Sequence, residues 1–287
     1  MTKAAAESKY VPLIGIQEFR KGQLTDPDQL LFNDLHGERH IEKPHKHDFF
    51  IIILFDQAQG THTIDFRDYQ IENRQIHLLF PGQVHQWAIG AQTIGHQLMI
   101  DRVFFQRFAS YLRFSHSNYM NHPVIPLSGD DFRLLNYEFD AIKKELHSTH
   151  PLKDLISARA AVIAALVSKA SEDLFDDFRM HPLNPKLTRF NALIEGHFKE
   201  QKLVAFYASK LHISANYLNI LCKKNLHTSA TQVIQKRVLL EAKRMLRSTD
   251  LSIKEISFDL GFVDHAYFSN FFKSQTGATP TQFREKL

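Results

Sequence analysis

The stretch DHAYFSNFFK at residues 264–273 decides the fold, because it repeats the stretch SANYLNILCK at residues 214–223 without a gap, at an offset of fifty residues. Both stretches begin with a residue that readily caps a helix, Asp264 and Ser214. A short amphipathic segment and a tight turn precede each one, LVAFYASKL at 203–211 and SIKEISFDL at 252–260. A helix, a tight turn and a capped second helix form a helix-turn-helix, so the sequence predicts two such units.

The second helix of each predicted unit has an apolar face, which Leu218 and Phe268 exemplify, and a polar face that is free to enter a major groove. Asparagine pairs with adenine, small or apolar side chains contact the thymine methyl group, and lysine contacts phosphate. We therefore expect ten DNA-binding residues on these two helices. They are Asn216, Asn219, Ile220, Lys223, Lys224, His265, Ala266, Ser269, Asn270 and Lys273.

The spacing and charge of this region favour DNA as the partner. Residues 231–248 predict one helix between the units, which spans roughly 27 Å and compares with the ~34 Å between successive major-groove faces. From Lys186 onward there are 16 Lys and Arg against 8 Asp and Glu, whereas the first 185 residues hold 19 against 23. A basic third joined to an acidic remainder is typical of a nucleic-acid-binding domain attached to another domain. The alternative is a pair of ordinary helical hairpins.

Residues 186–287 resemble the DNA-binding domain of the AraC/XylS family of transcription regulators. The closest match is SIKEISFDLGFVDHAYFSNFFKSQTGATPTQFR at 252–284, with Gly261-Phe262, Gly277 and Arg284 in the family positions. The resemblance implies seven helices and two helix-turn-helix units. It departs at Cys222, where the family usually has Phe, and at His227, where it usually has a glycine that ends the helix in a left-handed conformation. By position, the resemblance implies that six residues face bases: Asn216, Asn219, Ile220, His265, Ser269 and Asn270.

The region from about 40 to 125 has a different pattern of apolar and turn-forming residues from the C-terminal region. Short apolar runs (FFIIILF, QIHLLF, HQLMI) alternate with turn-like clusters (QAQG, FPGQ, IGAQ), which predicts an antiparallel barrel or sandwich. It resembles the cupin-like sensor domain of the same family at KPHKHD (43–48), GTH (60–62) and FPGQVHQW (80–87). The resemblance implies a small barrel that binds an effector. We expect the pocket to be lined by His45, His47, His85 and Trp87.

A metal site is the alternative use of the same histidines. His45 and His47 lie on one face of a strand, and with His85 they have the composition of the three-histidine site of metal-binding cupins. The glutamate that those cupins place shortly after His-x-His is absent, because FFIIILF follows Asp48. We therefore expect a polar pocket lining, with no metal and no other cofactor. The competing function is a cupin metalloenzyme, of dioxygenase or isomerase type, with a helical appendage. A barrel that only dimerises is a third reading.

These observations predict an α+β chain of two domains. Residues 1–170 form a cupin-like β-barrel with trailing helices, which binds the effector and dimerises. Residues 171–186 are the linker, and residues 187–287 are the AraC-type all-α DNA-binding domain. The helix predicted over 155–170 is apolar on more than one face, so we expect it, with Leu166, to form the dimer contact.

The predicted function is that of a non-enzymatic, sequence-specific transcription regulator. Its expected partners are double-stranded DNA, a small-molecule effector and a second copy of the chain, with RNA polymerase as a candidate and no membrane. A single cysteine, Cys222, and a start (MTKAAAESKY) without an apolar segment predict a cytoplasmic location without a secretory signal.

Overall fold

A computed structural model of the chain describes residues 11–19, 30–114, 116–179 and 184–285. The chain divides into two compact units, with the boundary between residues 182 and 183. Residues 1–10 and 20–29 of the predicted first domain, and residues 180–183 of the predicted linker, lie outside the described residues.

Two five-stranded sheets form the frame of the unit that ends at residue 182. Within the described residues the strands are β1 (Leu13–Ile14), β2 (Leu30–His36), β3 (Arg39–His47), β4 (Phe50–Gln57), β5 (Gly60–Ile64), β6 (Arg67–Ile71), β7 (Gln75–Leu79), β8 (Val84–Ile89), β9 (Ile94–Ile100) and β10 (Val124–Pro126). One sheet has the order β1-β3-β8-β5-β6 and the other β10-β7-β4-β9-β2. All the strand pairs are antiparallel except β1 with β3.

Strand β4 explains why FFIIILF is an unbroken apolar run. Ile51 and Ile53 belong to the core cluster shared by both sheets, whereas Ile52 and Leu54 belong to a second cluster between β4's sheet and the helices. A strand that is covered on both faces needs apolar residues at every position. Strand β5, by contrast, alternates, and only His62 and Ile64 are buried along it.

Five α-helices follow or interrupt the strands of this unit among the described residues: α1 (Arg102–Gln106), α2 (His116–Asn121), α3 (Gly129–Leu146), α4 (Lys153–Leu174) and α5 (Asp176–Arg179). Helix α4 is longer than the predicted 155–170, so part of the stretch expected as a linker is helical. The reason is that Ala170 and Ser171 still lie on its buried face, where the Ser171 hydroxyl donates to the Val167 carbonyl at 2.8 Å.

The second unit is helical throughout. Its described helices are α6 (Pro185–His197), α7 (Val204–Lys210), α8 (Ala215–Leu226), α9 (Ala230–Ser248), α10 (Ile253–Asp259), α11 (His265–Thr276) and α12 (Pro280–Glu285), and they share one core cluster. Helices α8 and α11 have 12 residues each and begin fifty residues apart, as the repeat predicts. Between them, α9 has 19 residues and starts with a capping box of Ser229 and Gln232.

The turns after α7 and α10 have the same geometry. His212 and Gly261 both take left-handed φ angles, 54° and 73°. The N–H group of the next residue then donates back to a helix carbonyl at 3.0 Å, which is the bond of a Schellman motif. The donor and acceptor are Ile213 and Ala208 in the first unit, and Phe262 and Ser257 in the second.

The two left-handed glycines of the second helix-turn-helix differ in their surroundings. A Cβ atom at Gly261 would lie 1.9 Å from the carbonyl oxygen of Lys199, so the loop after α6 leaves no room for a side chain. Gly277, which ends α11 with a φ of 77°, has nothing within 4 Å of the same position. Only Gly261 is therefore required by packing as well as by backbone conformation.

We predict that Gly261→Ala lowers the free energy of unfolding of the helical unit by about 3 kcal/mol or more, because a backbone clash adds to the left-handed penalty. Gly277→Ala has only the left-handed penalty of about 1–2 kcal/mol. Urea denaturation followed by far-ultraviolet circular dichroism measures both. The fluorescence of Trp87, the only tryptophan and a residue of the other unit, is the internal control and should be unchanged. Equal losses in the two variants would contradict the clash.

Candidate functional site

Helices α8 and α11 present equivalent outer faces to solvent. On each helix, three exposed residues follow one another at spacings of four and three positions. Those spacings place the three residues on one side of the helix. Leu218 and Phe268, on the opposite side, are completely buried. Three pairs of exposed residues are equivalent at the offset of fifty: Asn216 and Ala266, Ile220 and Asn270, and Lys223 and Lys273.

Side-chain caps fix the first turn of each of these helices. The Ser214 hydroxyl accepts a hydrogen bond from the Tyr217 N–H at 3.1 Å. The Asp264 carboxylate accepts from the N–H groups of Ala266 and Tyr267 at 3.0 and 3.3 Å. Each helix therefore starts at a defined residue, and its outer face has a defined direction. Lys224 and His265, the other exposed members of the predicted set, lie on these helices as well.

Asn219, one of the predicted base contacts, makes a hydrogen bond within the fold. Its side chain is half-buried, and its amide oxygen accepts a hydrogen bond from the Ala230 N–H at 2.9 Å, at the start of α9. Reading adenine with both amide atoms requires that oxygen. Ser269, at the equivalent position of α11, is also half-buried. Both side chains are therefore less exposed than the other predicted base contacts.

Two tyrosines that the sequence does not single out are also exposed on these helices. Tyr217 and Tyr267 are 44% and 65% exposed, close to the capped ends of α8 and α11. Each precedes a buried residue, Leu218 or Phe268, and so lies about 100° away from the buried face of its helix. Their position next to a residue of the buried face is the feature of the sequence from which their exposure could have been predicted. Tyrosine hydroxyls are among the groups that contact phosphate.

The departures of the first unit from the family pattern have local structural consequences. His227 ends α8 with a left-handed φ of 49°, at the position where Gly277 ends α11. Cys222 is fully buried, and burial raises the pKa of its thiol to about 11, so it is a core residue in its unreactive form.

In the other unit, the predicted pocket residues lie together within the sheet that contains β3, β8 and β5. His45 is the register partner of His85, and the Nε2 atoms of His47 and His85 are 3.0 Å apart. Trp87 is 6% exposed, and its ring centroid is 5.5 Å from that of His62. The Trp87 indole nitrogen is buried and has no hydrogen-bond partner among the described residues.

Two further histidines extend this cluster. His62 places its Nε2 atom 3.0 Å from His85 Nδ1 and its Nδ1 atom 2.9 Å from His77 Nδ1. His77 Nε2 is 3.1 Å from the side-chain oxygen of Gln75. Both histidines are completely buried. The alternation of β5 is the signal for His62, but His77 lies within the apolar run QIHLLF, where no sequence pattern distinguishes it.

Burial lowers the pKa of all five histidines. The pKa of His47 falls to about 3, through burial and then the neighbouring His45, and burial alone lowers the pKa of His77 to about 3. The pKa values of His45, His62 and His85 are lowered too, with burial as the main cause. The rings are therefore neutral at pH 7, so each has one N–H group and one lone pair.

A separate recess opens on the surface beside β2 and α3, with a volume of about 380 Å³. The Lys143 ammonium donates to the Asp34 carboxylate at 2.7 Å. Burial opposes ionisation of Asp34, but Lys143 and His96 outweigh it and hold the pKa of that carboxyl below its usual value. The recess is lined by Phe32, Asn33, Asp34, Arg39, Lys143 and His147.

No helix in the described part of the chain has the length and apolar character needed to cross a membrane.

The chain matches two known domain families. Residues 207–286 match the helix-turn-helix domain family, and residues 30–97 match the AraC-like ligand binding domain family. The first match covers α8 and α11, and the second covers the strands that contain all five histidines.

Individual proteins match the chain over one or both units. The HTH-type transcriptional regulator YfiF of Bacillus subtilis (strain 168) is 25% identical over 84% of this chain and 78% of YfiF. The regulatory protein SoxS of Escherichia coli (strain K12) is 32% identical over 33% of this chain and 90% of SoxS. The solved structure of unsaturated fatty acid bound ToxT from Vibrio cholerae strain SCE256 is 15% identical, with a TM-score of 0.40 over 92% of this chain and 98% of ToxT.

Proposed function

The chain belongs to the AraC family of DNA-binding transcription regulators, and from that premise we propose how its residues divide the work. In this proposal α8 and α11 enter successive major grooves of one DNA duplex. The domain of β1–β10 binds the effector and carries the dimer contact. The observation that supports the proposal most strongly is the pairing of exposed residues at an offset of fifty on two helices whose other faces are buried.

The proposed DNA contacts fall into two classes. Asn216, Ile220, His265, Ala266 and Asn270 are the proposed base contacts, because they are exposed on the first two turns of α8 and α11. Asn219 and Ser269 are left out of this class because they are half-buried, and Asn219 holds the start of α9. The proposed phosphate contacts, which position the protein without reading sequence, are Lys223, Lys224, Lys273, Tyr217 and Tyr267.

We predict that Asn270→Ala changes base preference, with a loss on the order of 1–3 kcal/mol confined to the base pair that Asn270 contacts. Lys273→Ala should weaken binding to all sequences alike and lower the salt slope of binding by about one. A duplex selected from a random pool with the full chain, and its single-base variants, supply the DNA. Fluorescence anisotropy at several salt concentrations supplies the affinities.

Gln275→Ala, at an exposed position near the end of α11, is the matched control and should bind like the unaltered chain. The assignment of the two classes is wrong if Asn270→Ala and Lys273→Ala lose affinity uniformly and by the same factor.

Helix α4 supports the proposal of a homodimer. Its outward face carries Leu155, Ala158 and Val162, which are exposed and lie at helical spacing, with 37% exposure at Leu155 and 43% at Val162. Leu166, the residue expected from the sequence, is half-buried against its own domain core, so it is not the best probe of the contact. A second copy of the chain, with its own α4, is the partner that we propose for this apolar face.

Val162→Asp should shift the chain from dimer to monomer in sedimentation equilibrium, because a carboxylate buried in an apolar interface has no partner. Gln70→Asp is the control, because it introduces the same charge at an exposed position of β6 in the sheet β1-β3-β8-β5-β6. It should leave the dimer intact. A Val162→Asp variant that remains dimeric at the same concentrations would refute the proposed interface.

The remaining parts of the proposal follow from the family. We assign no catalytic role to any residue, because the related proteins named above are regulators. A partner that is genomic DNA, together with a single buried cysteine, supports a cytoplasmic location. RNA polymerase is a candidate partner of a DNA-bound regulator, to which we assign no residues.

A further inference from the structure

The tautomers of the buried histidines follow from the groups at the two ends of their hydrogen-bonded chain. The Gln75 side-chain oxygen accepts from the Glu72 N–H at 3.0 Å and faces His77 Nε2 at 3.1 Å. At the other end, His47 Nδ1 faces the carbonyl oxygen of Ile14 at 3.3 Å. Because an oxygen of this kind only accepts, the ring nitrogen that faces it at each end must carry the hydrogen.

Starting from the Gln75 end, these assignments leave one nitrogen as a bare lone pair. A neutral His77 with its hydrogen on Nε2 accepts at Nδ1, so His62 donates from Nδ1 and accepts at Nε2. His85 then donates from Nδ1 to His62. The Nε2 atom of His85 is therefore a lone pair that points toward His47.

The other two histidines are assigned in the same way. His47, whose Nδ1–H donates to Ile14, has its lone pair on Nε2. His45 Nδ1 lies 3.4 Å from the Lys43 carbonyl oxygen, which assigns its lone pair to Nε2 as well. The Nε2 atoms of His47 and His85 thus face each other at 3.0 Å with no hydrogen between them. Two lone pairs at that distance repel, and a cation between them removes the repulsion.

We propose that a divalent transition-metal ion binds the Nε2 atoms of His45, His47 and His85, and that this ion is the effector to which the regulator responds. The role of the ion as effector rests on the proposed function, whereas the metal site itself does not. It reverses the expectation from the sequence that the histidines only line a pocket.

The geometry is close to that of a three-imidazole site. The ligand atoms of the three histidines lie within 4.8 Å of one another. Metal–nitrogen bonds of roughly 2.0–2.1 Å at tetrahedral angles hold such atoms about 3.4 Å apart. A bound ion would therefore require the three rings to turn so that the widest of these distances shortens toward that value. Imidazole ligands favour zinc, copper, nickel and iron over magnesium or calcium.

The surroundings are those of a ligand set rather than of a hydrophobic core. The second nitrogen of each ligating ring donates to a carbonyl or to another histidine, which is how metal-binding histidines are oriented.

The test uses the full chain, stripped with a chelator and dialysed. We expect one Zn²⁺ per chain by isothermal titration calorimetry. We also expect the visible absorption bands of tetrahedral Co²⁺ on titration with cobalt. His85→Gln and His45→Gln should each weaken Zn²⁺ binding at least tenfold. His62→Phe, which removes the hydrogen-bond partner of the His85 Nδ1 atom, should weaken it by roughly 10–100-fold.

His40→Gln is the matched control, because His40 is an exposed histidine on the same strand as His45 and His47, and it should bind Zn²⁺ like the unaltered chain. Circular dichroism of each metal-free variant verifies that it folds. Since His45 and His85 are on different strands, a fold defect in one variant leaves the other as the test. Unaltered binding in a folded His85→Gln or His45→Gln variant would overturn the site.

DNA binding distinguishes the two halves of the inference. With the selected duplex, we expect Zn²⁺ to change the affinity of the unaltered chain several-fold and that of His85→Gln not at all. DNA binding without any zinc binding overturns the metal site and leaves the regulator intact. Zinc binding without DNA binding overturns the proposed function and leaves the site intact. Both kinds of binding without coupling show a structural ion and overturn the role as effector.

Discussion

The left-handed turn between the two helices of each unit is the constraint on which the interface depends. A residue with positive φ, His212 or Gly261, lets the next N–H group return to the helix that has just ended. The following helix is thereby folded back against its predecessor and buries Leu218 or Phe268. Its outer face then has one direction only. At Gly261 the carbonyl of Lys199 closes the space around the turn, so the loop after α6 and the second unit constrain each other.

The parts of this structure that could be predicted from the sequence are those set by local chemistry. Asp264 and Ser214 cap helices because their short polar side chains reach N–H groups two or three residues away. The run FFIIILF predicts a strand because it is short and bounded by turn-like clusters, and in the structure this strand is covered on both faces. The family resemblance and the domain matches agree on two domains and a DNA-binding function.

The parts that could not be predicted depend on contacts between distant residues. The Asn219 side chain bonds to Ala230, eleven residues away, and nothing in the helical pattern of α8 indicates that it turns toward α9. His77 lies in an apolar run, and it meets a polar partner only because its strand packs opposite β5. There the Nδ1 atoms of His77 and His62 are 2.9 Å apart. Helix α4 extends past residue 170 because its buried face continues, although the acidic residues around it suggest a linker.

The two domains differ in where they place their functional polar side chains. The helical domain exposes polar side chains on a rigid frame, which suits a polyanionic duplex. The barrel buries five histidines that must all find partners, because an unpaired polar group in an apolar interior is costly. Any effector bound there acts on DNA binding only if it prefers one conformation of the chain over another. We propose that such a preference arises in the buried cluster, because its hydrogen bonds join strands of both sheets.

The central claim is that one chain places α8 and α11 in successive major grooves on the same side of a duplex, with the 19 residues of α9 between them spanning roughly 28 Å. The most direct test is the affinity of the full chain for its selected duplex, compared with that for the same duplex lengthened by about half a helical turn between the two contacted segments. We expect at least a tenfold loss of affinity for the lengthened duplex, because the second helix then faces the wrong side. Equal affinity for the two duplexes would contradict it.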